Sequence, residues 1–411
     1  MKDVCFLSIL YPNSSTTYDK YVTKHRSQNI SFIQNELIKG FEENIGNRVH
    51  IINKLLVPLY KKGYIKPLIT TGNFEHASGL NKKDIIFPYI NIPFLHSTSL
   101  FWGARKYIHR WILEEEEEKY LVAYALTTYS LKAMRYAKKK NPRIKTCIIV
   151  PDIPNYTYIN SENGFTKTKN RIAISIIDNK INYLSKYVDA YCFFSEHMQE
   201  KINAKHFCVF EGLATEGFTI VEARRDYSEK EKIIVYAGGL HADYGVKLLL
   251  DAFSYLKNPN YRLILFGRGS LEGEIVRQAA IDPRIRFKGE IDRIDLLSVE
   301  KGADLLINPR VNCGRFTKYS FPSKNLEYLS SGTPMIGYKL DGIPDDYDKY
   351  INYFKEATAE SLAEKIVDVL ENNNDAAINR ANNAVNYVTT QKSAIVQAKK
   401  ILETMDGLQK E

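Results

Sequence analysis

A lysine and a glutamate three residues apart, Lys324 and Glu327, are the side chains whose types and spacing point most directly to chemistry. They lie in the segment YSFPSKNLEYLSSGTP, residues 319–334, which reads as a short helix between turns. An N-cap at Ser323 puts Lys324 in the first turn and Glu327 one turn later on the same face, with Leu326 and Leu329 left for the core. A carboxylate at a helix start can accept both hydroxyls of a ribose, and the neighbouring ammonium can face a diphosphate. The same spacing also suits an exposed ion pair worth roughly a few tenths of a kcal/mol.

Two glycine-rich turns accompany this segment. The strand-like run Ile233–Ala237 ends in Gly238 and Gly239, with a helix opening near Tyr244 and Gly245, so backbone N–H groups can approach an anion at a helix N-terminus. After Leu263–Phe266 come Gly267, Arg268 and Gly269, where the arginine can pair with phosphate or stack on a base. Simple tight turns fit the same glycines. In the first half, the run Thr146–Val150 ends in Pro151 and Asp152, which places a carboxylate where a strand leaves its sheet. Asp152 can orient or deprotonate a hydroxyl, or cap a proline-bounded turn. His76 and His96, in loop-like stretches, offer the same chemistry.

These groups need a scaffold, and 411 residues suit two α/β domains better than one core. The run DVCFLSIL (3–10) reads as a buried strand and Phe32–Phe41 as a helix, a Rossmann-like opening. Further strand-like runs fall at Val49–Ile52, Ile85–Ile86, Cys147–Val150 and Ala190–Phe194. Glu114–Glu118 reads as a solvated helical face. Trp102 and Trp111 beside basic residues suit either a membrane interface or core packing. The apolar pattern fades between 211 and 232, then strands and helices alternate from Ile233 onward, which demands a parallel sheet covered on both faces. The expected division is a first Rossmann-like domain over 1–212, a linker over 213–230, a second Rossmann-like domain over 231–390 and a C-terminal helical segment over 391–411, with a helix at Ala394–Met405.

Composition narrows the function. The formal net charge of +9 is spread along the chain and favours phosphate-bearing substrates or an anionic membrane face. No zinc finger, RRM-type aromatic motif or basic-helix repeat points to nucleic acid. Five scattered cysteines without a CxxC pair suggest neither a disulfide frame nor a metal site, and fit a reducing compartment. The first apolar run is too short for a signal peptide or a spanning helix, so a cytoplasmic location is expected.

Across roughly residues 231–390 the double glycine, the FGRG turn, ADLLINP, FPSKNLEYLSSGTP and their spacing resemble the C-terminal domain of GT4-type retaining glycosyltransferases, in the variant common among enzymes of bacterial surface polysaccharides. The resemblance implies an α/β GT-B architecture, two Rossmann-like domains facing each other across a cleft. It also implies metal-independent transfer of a sugar, with retention, from a nucleotide sugar held by the C-terminal domain. The acceptor would be a glycan or a lipid-linked glycan, at the inner face of a cell membrane, with no cofactor beyond the donor. Glu327 matches the second glutamate of the family's E-x7-E motif, which holds the ribose hydroxyls, and Tyr319 stands where the first would be. Tyr244 stands where many relatives carry a diphosphate-facing lysine, and an arginine near Gly239 is absent, so Lys324, Arg268 and Arg310, with Lys247 or Arg315, would supply the positive charge. Those departures leave open a non-catalytic subunit of the same fold. A sugar-nucleotide epimerase of this fold is a third reading.

Overall fold

The structure is a computed structural model and describes residues 2–11, 21, 28–74, 76, 84–93, 95–115, 118–153, 179–312 and 317–407. The chain forms two compact units, Met1–Phe210 with Ala394–Glu411, and Glu211–Ser393.

The first unit comprises β1 (Lys2–Leu10), α1 (Gln28–Ile45), β2 (His50–Leu55), β3 (Leu68–Ile69), β4 (Gly72–Phe74), β5 (Asp84–Ile86), β6 (Tyr89–Ile90), α2 (His96–Leu113), β7 (Glu118–Tyr124), α3 (Thr128–Lys140), β8 (Lys145–Val150), β9 (Ala190–Phe193) and β10 (His206–Val209). Eight strands form one sheet in the order β10-β9-β8-β7-β1-β2-β5-β4, parallel except for β4 on β5. The central strands β1, β7 and β8 are buried almost end to end, which is why β1 and β8 read as continuous apolar runs without alternation. The switch in strand order falls between β1 and β7.

The second unit comprises β11 (Lys232–Ala237), α4 (Val246–Tyr255), β12 (Tyr261–Phe266), α5 (Glu272–Ile281), β13 (Ile285–Gly289), α6 (Arg293–Gly302), β14 (Leu305–Asn308), α7 (Ser323–Ser330), β15 (Met335–Gly337), β16 (Asn352–Tyr353), α8 (Ala359–Val367) and α9 (Asn374–Gln391). Its six strands run parallel in the order β13-β12-β11-β14-β15-β16. Alternate residues of β11 feed two cores: Ile234 and Tyr236 pack with Val246, Leu249 and Leu362 from α4 and α8, while Ile233, Val235 and Ala237 pack with Leu326, Leu329 and Val388 from α7 and α9. The sheet is therefore covered on both faces, and its order switches between β11 and β14. Ligands in open α/β sheets bind at the carboxyl ends of such strands.

Three expectations change. Residues 213–230 are not a bare linker: Ala214 is buried in a core of the second unit, and Phe218 and Val221 pack on Leu297. The final helix, α10 (Ala394–Met405), returns to the first unit and packs on α1. There Gly40 lets the backbones touch, since a Cβ on it would lie 2.2 Å from the Ala394 carbonyl oxygen. The glutamate run is not one continuous helical face, because α2 stops at Leu113, Glu114 caps it in an extended conformation and Glu118 opens β7, with Glu116 and Glu117 outside the described residues. A cluster of carboxylates opposes the negative end of a helix dipole, which favours termination there. The two tryptophans divide: Trp111 is buried on α2, whereas Trp102 is 61% exposed with the Arg105 guanidinium 5.3 Å from its ring.

Candidate active site

Helix α7 forms directly after Pro322, whose φ of −72° leads into the helix; Ser323, expected as the N-cap, is instead the first helical residue, and no side chain caps the turn. The helix is clamped over the switch point. The Tyr328 hydroxyl accepts from the Ala237 N–H (2.9 Å) at the end of β11, and the Asn308 amide at the end of β14 donates to Asn325 Oδ1 (2.6 Å). Lys324 and Glu327 are thereby held beside the carboxyl ends of both strands.

They do form an i,i+3 pair, but a sheltered one with two further members. Lys324 Nζ also donates to Glu300 Oε1 (3.2 Å), and Arg293 Nη1 donates to Glu327 Oε2 (3.0 Å). Glu300 is fully buried and Glu327 is 7% exposed. Burial pushes the Glu327 carboxyl up, yet Lys324 and then Arg293 outweigh it and hold it below the usual carboxylate range. For Glu300, burial and then the charge of Glu327 prevail, lifting it to about 8. Burial disfavours charged Lys324, but the two glutamates overcome that and raise its pKa. Glu300, Arg293 and Tyr328 escaped the sequence reading. Glu300 had left a trace, a charge three residues after the core-facing Leu297 on an amphipathic helix.

The glycine turns divide by role. Gly267 has φ +127°, and a Cβ there would stand 1.8 Å from the Gly238 carbonyl oxygen, while a Cβ on Gly269 would meet the Leu240 carbonyl oxygen at 2.2 Å. These two glycines let neighbouring loops touch backbone to backbone. Gly245, at φ +77°, caps the start of α4, and a Cβ on it would stand 2.1 Å from the Pro309 carbonyl oxygen. That close approach leaves the first N–H groups of α4 next to the switch point. Over Gly239 stands the Tyr244 ring, and the Arg310 guanidinium lies 5.6 Å from that ring. Arg310 is 9% exposed and donates to Ser320 Oγ (3.4 Å). A cation thus reaches the position where Tyr244 supplies none. Arg268 is paired with Glu290 (2.6 Å) on the surface, Lys247 is exposed on α4, and Tyr319 is buried. Arg315 lies outside the described residues.

In the first unit, Asp152 is exposed just beyond β8, beside Tyr124 at the end of β7, so it stands at the carboxyl edge of that sheet near its switch point. His76 is elsewhere and fully engaged: Nδ1 meets Asp84 Oδ2 (2.7 Å), Nε2 meets Glu42 Oε1 (3.0 Å), and Arg48 shares Asp84 (3.2 Å). Burial would lower its pKa, but the hydrogen bonds to Asp84 and Glu42 outweigh burial and lift it to about 9. His76 is a charged strut with no ring nitrogen to spare for an incoming hydroxyl. A folded-state pKa above the unfolded 6.5 means its stabilisation is complete below about pH 6.5 and lost as pH rises through about 9. His76→Gln should therefore lower the melting temperature markedly at pH 6 and much less at pH 10, as scanning fluorimetry can measure. His96 behaves oppositely: burial and then the Lys54 charge lower it to about 4, and its Nδ1 is buried without a hydrogen-bond partner.

Among the described residues, one cluster has metal-ligand reach, Asp3, His50 and Glu114. It sits at the amino ends of β1 and β2, the edge opposite to the switch point, and Lys119 Nζ already donates to Asp3 Oδ2 (2.9 Å).

Residues 219–388, nearly the whole second unit, match the family described as glycosyl transferases, group 1. Solved structures match along the entire chain. They include a sucrose-phosphate synthase from Thermosynechococcus elongatus (TM-score 0.62, 14% identity, 100% of each chain covered). HepE of Anabaena in complex with UDP also matches (0.57, 13% identity, 99% of this chain and 100% of that one). So does the catalytic domain of starch synthase IV from Arabidopsis thaliana bound to ADP and acarbose (0.59, 12% identity, 99% and 100%). The fold is that of the GT-B glycosyltransferases. Within it, the second unit carries a group 1 glycosyl transferase domain. A search of curated proteins by sequence finds no match. In the GT-B frame the Lys324–Glu327 cluster lies in the matched half, and Asp152 in the other.

Proposed function

We propose that the chain moves a hexose from a nucleotide sugar to a glycan or lipid-linked acceptor, as a GT4-type enzyme acting with retention and without a metal or other cofactor. The observation that carries this reading is the sheltered cluster of Lys324, Glu327, Arg293 and Glu300 at the switch point of a group 1 domain. Glu327 keeps free lone pairs on both oxygens after its two ion pairs, enough to accept two ribose hydroxyls. Lys324, Arg310, the N–H groups at Gly238 and Gly239 and the start of α4 would hold the diphosphate, offsetting charge on the leaving group. Asp152 would orient or deprotonate the acceptor hydroxyl.

The setting we infer is surface-polysaccharide assembly at the cytoplasmic face of a membrane. Among the described residues no helix is long and apolar enough to cross a bilayer. Exposed Trp102 with Arg105, Lys106 and Arg110 on α2 is the sort of surface that rests on anionic lipid. Tyr244 over Gly239 favours the rival reading, a non-catalytic subunit of the same fold.

A melting-temperature panel with UDP, GDP, dTDP, ADP and CMP tests the donor site, because a ligand that binds only the folded state raises the transition. One nucleotide should give a saturable rise. A flat panel would leave the subunit reading standing, and the proton spectrum of a transfer product with an inverted anomeric centre would end the claim of retention.

A further inference from the structure

Glu300 has a peculiarity that its neighbours do not share. Its Oε1 accepts from Lys324 Nζ (3.2 Å), but its Oε2 is buried without any hydrogen-bond donor. The backbone at that point is fixed as well, since Thr333 Oγ1 donates to the Glu300 carbonyl (2.8 Å). An ionised carboxylate with one oxygen sealed from water and unpaired is costly. A proton on that oxygen removes the cost of the unpaired buried charge. The groups facing Glu300 are Lys324, Glu327 and Tyr328 from α7, with Arg293 on its own helix bound to Glu327. The upward shift to about 8 that burial and Glu327 impose agrees with this assignment.

We propose that Glu300 is a positioning residue that holds a proton at neutral pH, aiming Lys324 and leaving Glu327 as the single ionised carboxylate of the donor site. This rests on the donor-site reading above. With the proton in place the cluster carries one net positive charge toward an anionic ligand; when the proton leaves, that charge is cancelled and nucleotide affinity falls. The molecule thus carries a proton requirement for donor binding.

Two measurements on the full chain decide it. The first needs no nucleotide: melting temperature against pH for wild type and Glu300→Gln, whose amide imitates the protonated acid. A folded-state pKa raised above the ordinary 4.5 gives stability that is complete below that value and is lost as pH rises to about 8. The variant lacks this loss, so its melting temperature should gain on wild type steadily between about pH 5 and pH 8 and run parallel above. A constant difference across the range overturns the proton. The second is binding of the nucleoside diphosphate that stabilises wild type. Its affinity should drop about tenfold from pH 7 to pH 9, as expected for one charge near contact, and stay level in Glu300→Gln. Glu300→Ala should bind weakly at every pH because Lys324 loses its aim. Identical pH profiles for wild type and Glu300→Gln overturn the proton requirement. If wild type binds no nucleotide at all, the donor reading and the affinity half of the proposal fall together, while the stability comparison still decides the proton.

Discussion

Glu327→Ala should abolish the melting-temperature rise that the matching nucleotide gives to wild type. Two charge-assisted hydrogen bonds to ribose hydroxyls would disappear, worth about 1.5–3 kcal/mol each, so affinity should fall about a hundredfold or more. The alanine also leaves Arg293 and Lys324 beside a buried acid without their carboxylate, and removing one partner from a sheltered ion pair costs about 3–5 kcal/mol. Loss of fold and loss of binding must therefore be told apart. Glu327→Gln does this: it fills the same volume and can still accept from Lys324, but it offers the ribose one neutral oxygen in place of two charged ones. The expectation is a glutamine variant that melts as one cooperative species, with near-native circular dichroism, and binds the nucleotide at least tenfold more weakly by calorimetry, the loss of one charged hydrogen bond. A glutamine variant that binds like wild type would show that Glu327 is a structural brace for α7 and nothing more.

Why the cluster was only half legible follows from what sequence encodes locally. Lys324 and Glu327 share a helix and announce themselves by spacing. Arg293 and Glu300 sit on α6, a different helix, and reach Glu327 and Lys324 only because α6 and α7 pack against the same core. Nothing local specifies such a meeting. The alternation of strands and helices in the second unit was readable because most of its strands are short apolar runs ended by glycine or proline. The central strand β7 went unread because the glutamates before it suggested a helix, although Tyr120–Tyr124 is fully buried. The destination of α10 had no local sign either. Its return to the first unit is fixed by long-range contacts: the Gly40 approach, the Asn44 amide donating to the Ile395 carbonyl (2.8 Å), and Asp406 taking Lys2 (2.8 Å) and the Tyr120 hydroxyl (2.7 Å). Tyr244 illustrates the converse. By type it is a departure that removes a cation, yet in the fold it is the ring on which Arg310 rests.

Gly267→Ala should be the most damaging of the small substitutions in the second unit. Its φ of +127° lies where side chains other than glycine's are strained, at about 1–3 kcal/mol. The added methyl would also stand 1.8 Å from the Gly238 carbonyl oxygen and 3.0 Å from its carbon, so the β11 and β12 loops cannot both stay in place. Backbone has no rotamer by which to yield. The two penalties together should lower stability by about 3–5 kcal/mol, the range reached by severe single substitutions, and displace Gly238 and Gly239 from the place proposed for the diphosphate. Gly289→Ala, at the end of β13 in the same unit, supplies the comparison: its φ is +66°, but nothing lies within 4 Å of the added methyl. It should cost only the left-handed backbone penalty, about 1–2 kcal/mol. Urea denaturation of the two variants separates strain from collision. Equal losses would mean that the Gly238 loop gives way freely, and that the close approach at the switch point is not what holds the donor site in shape.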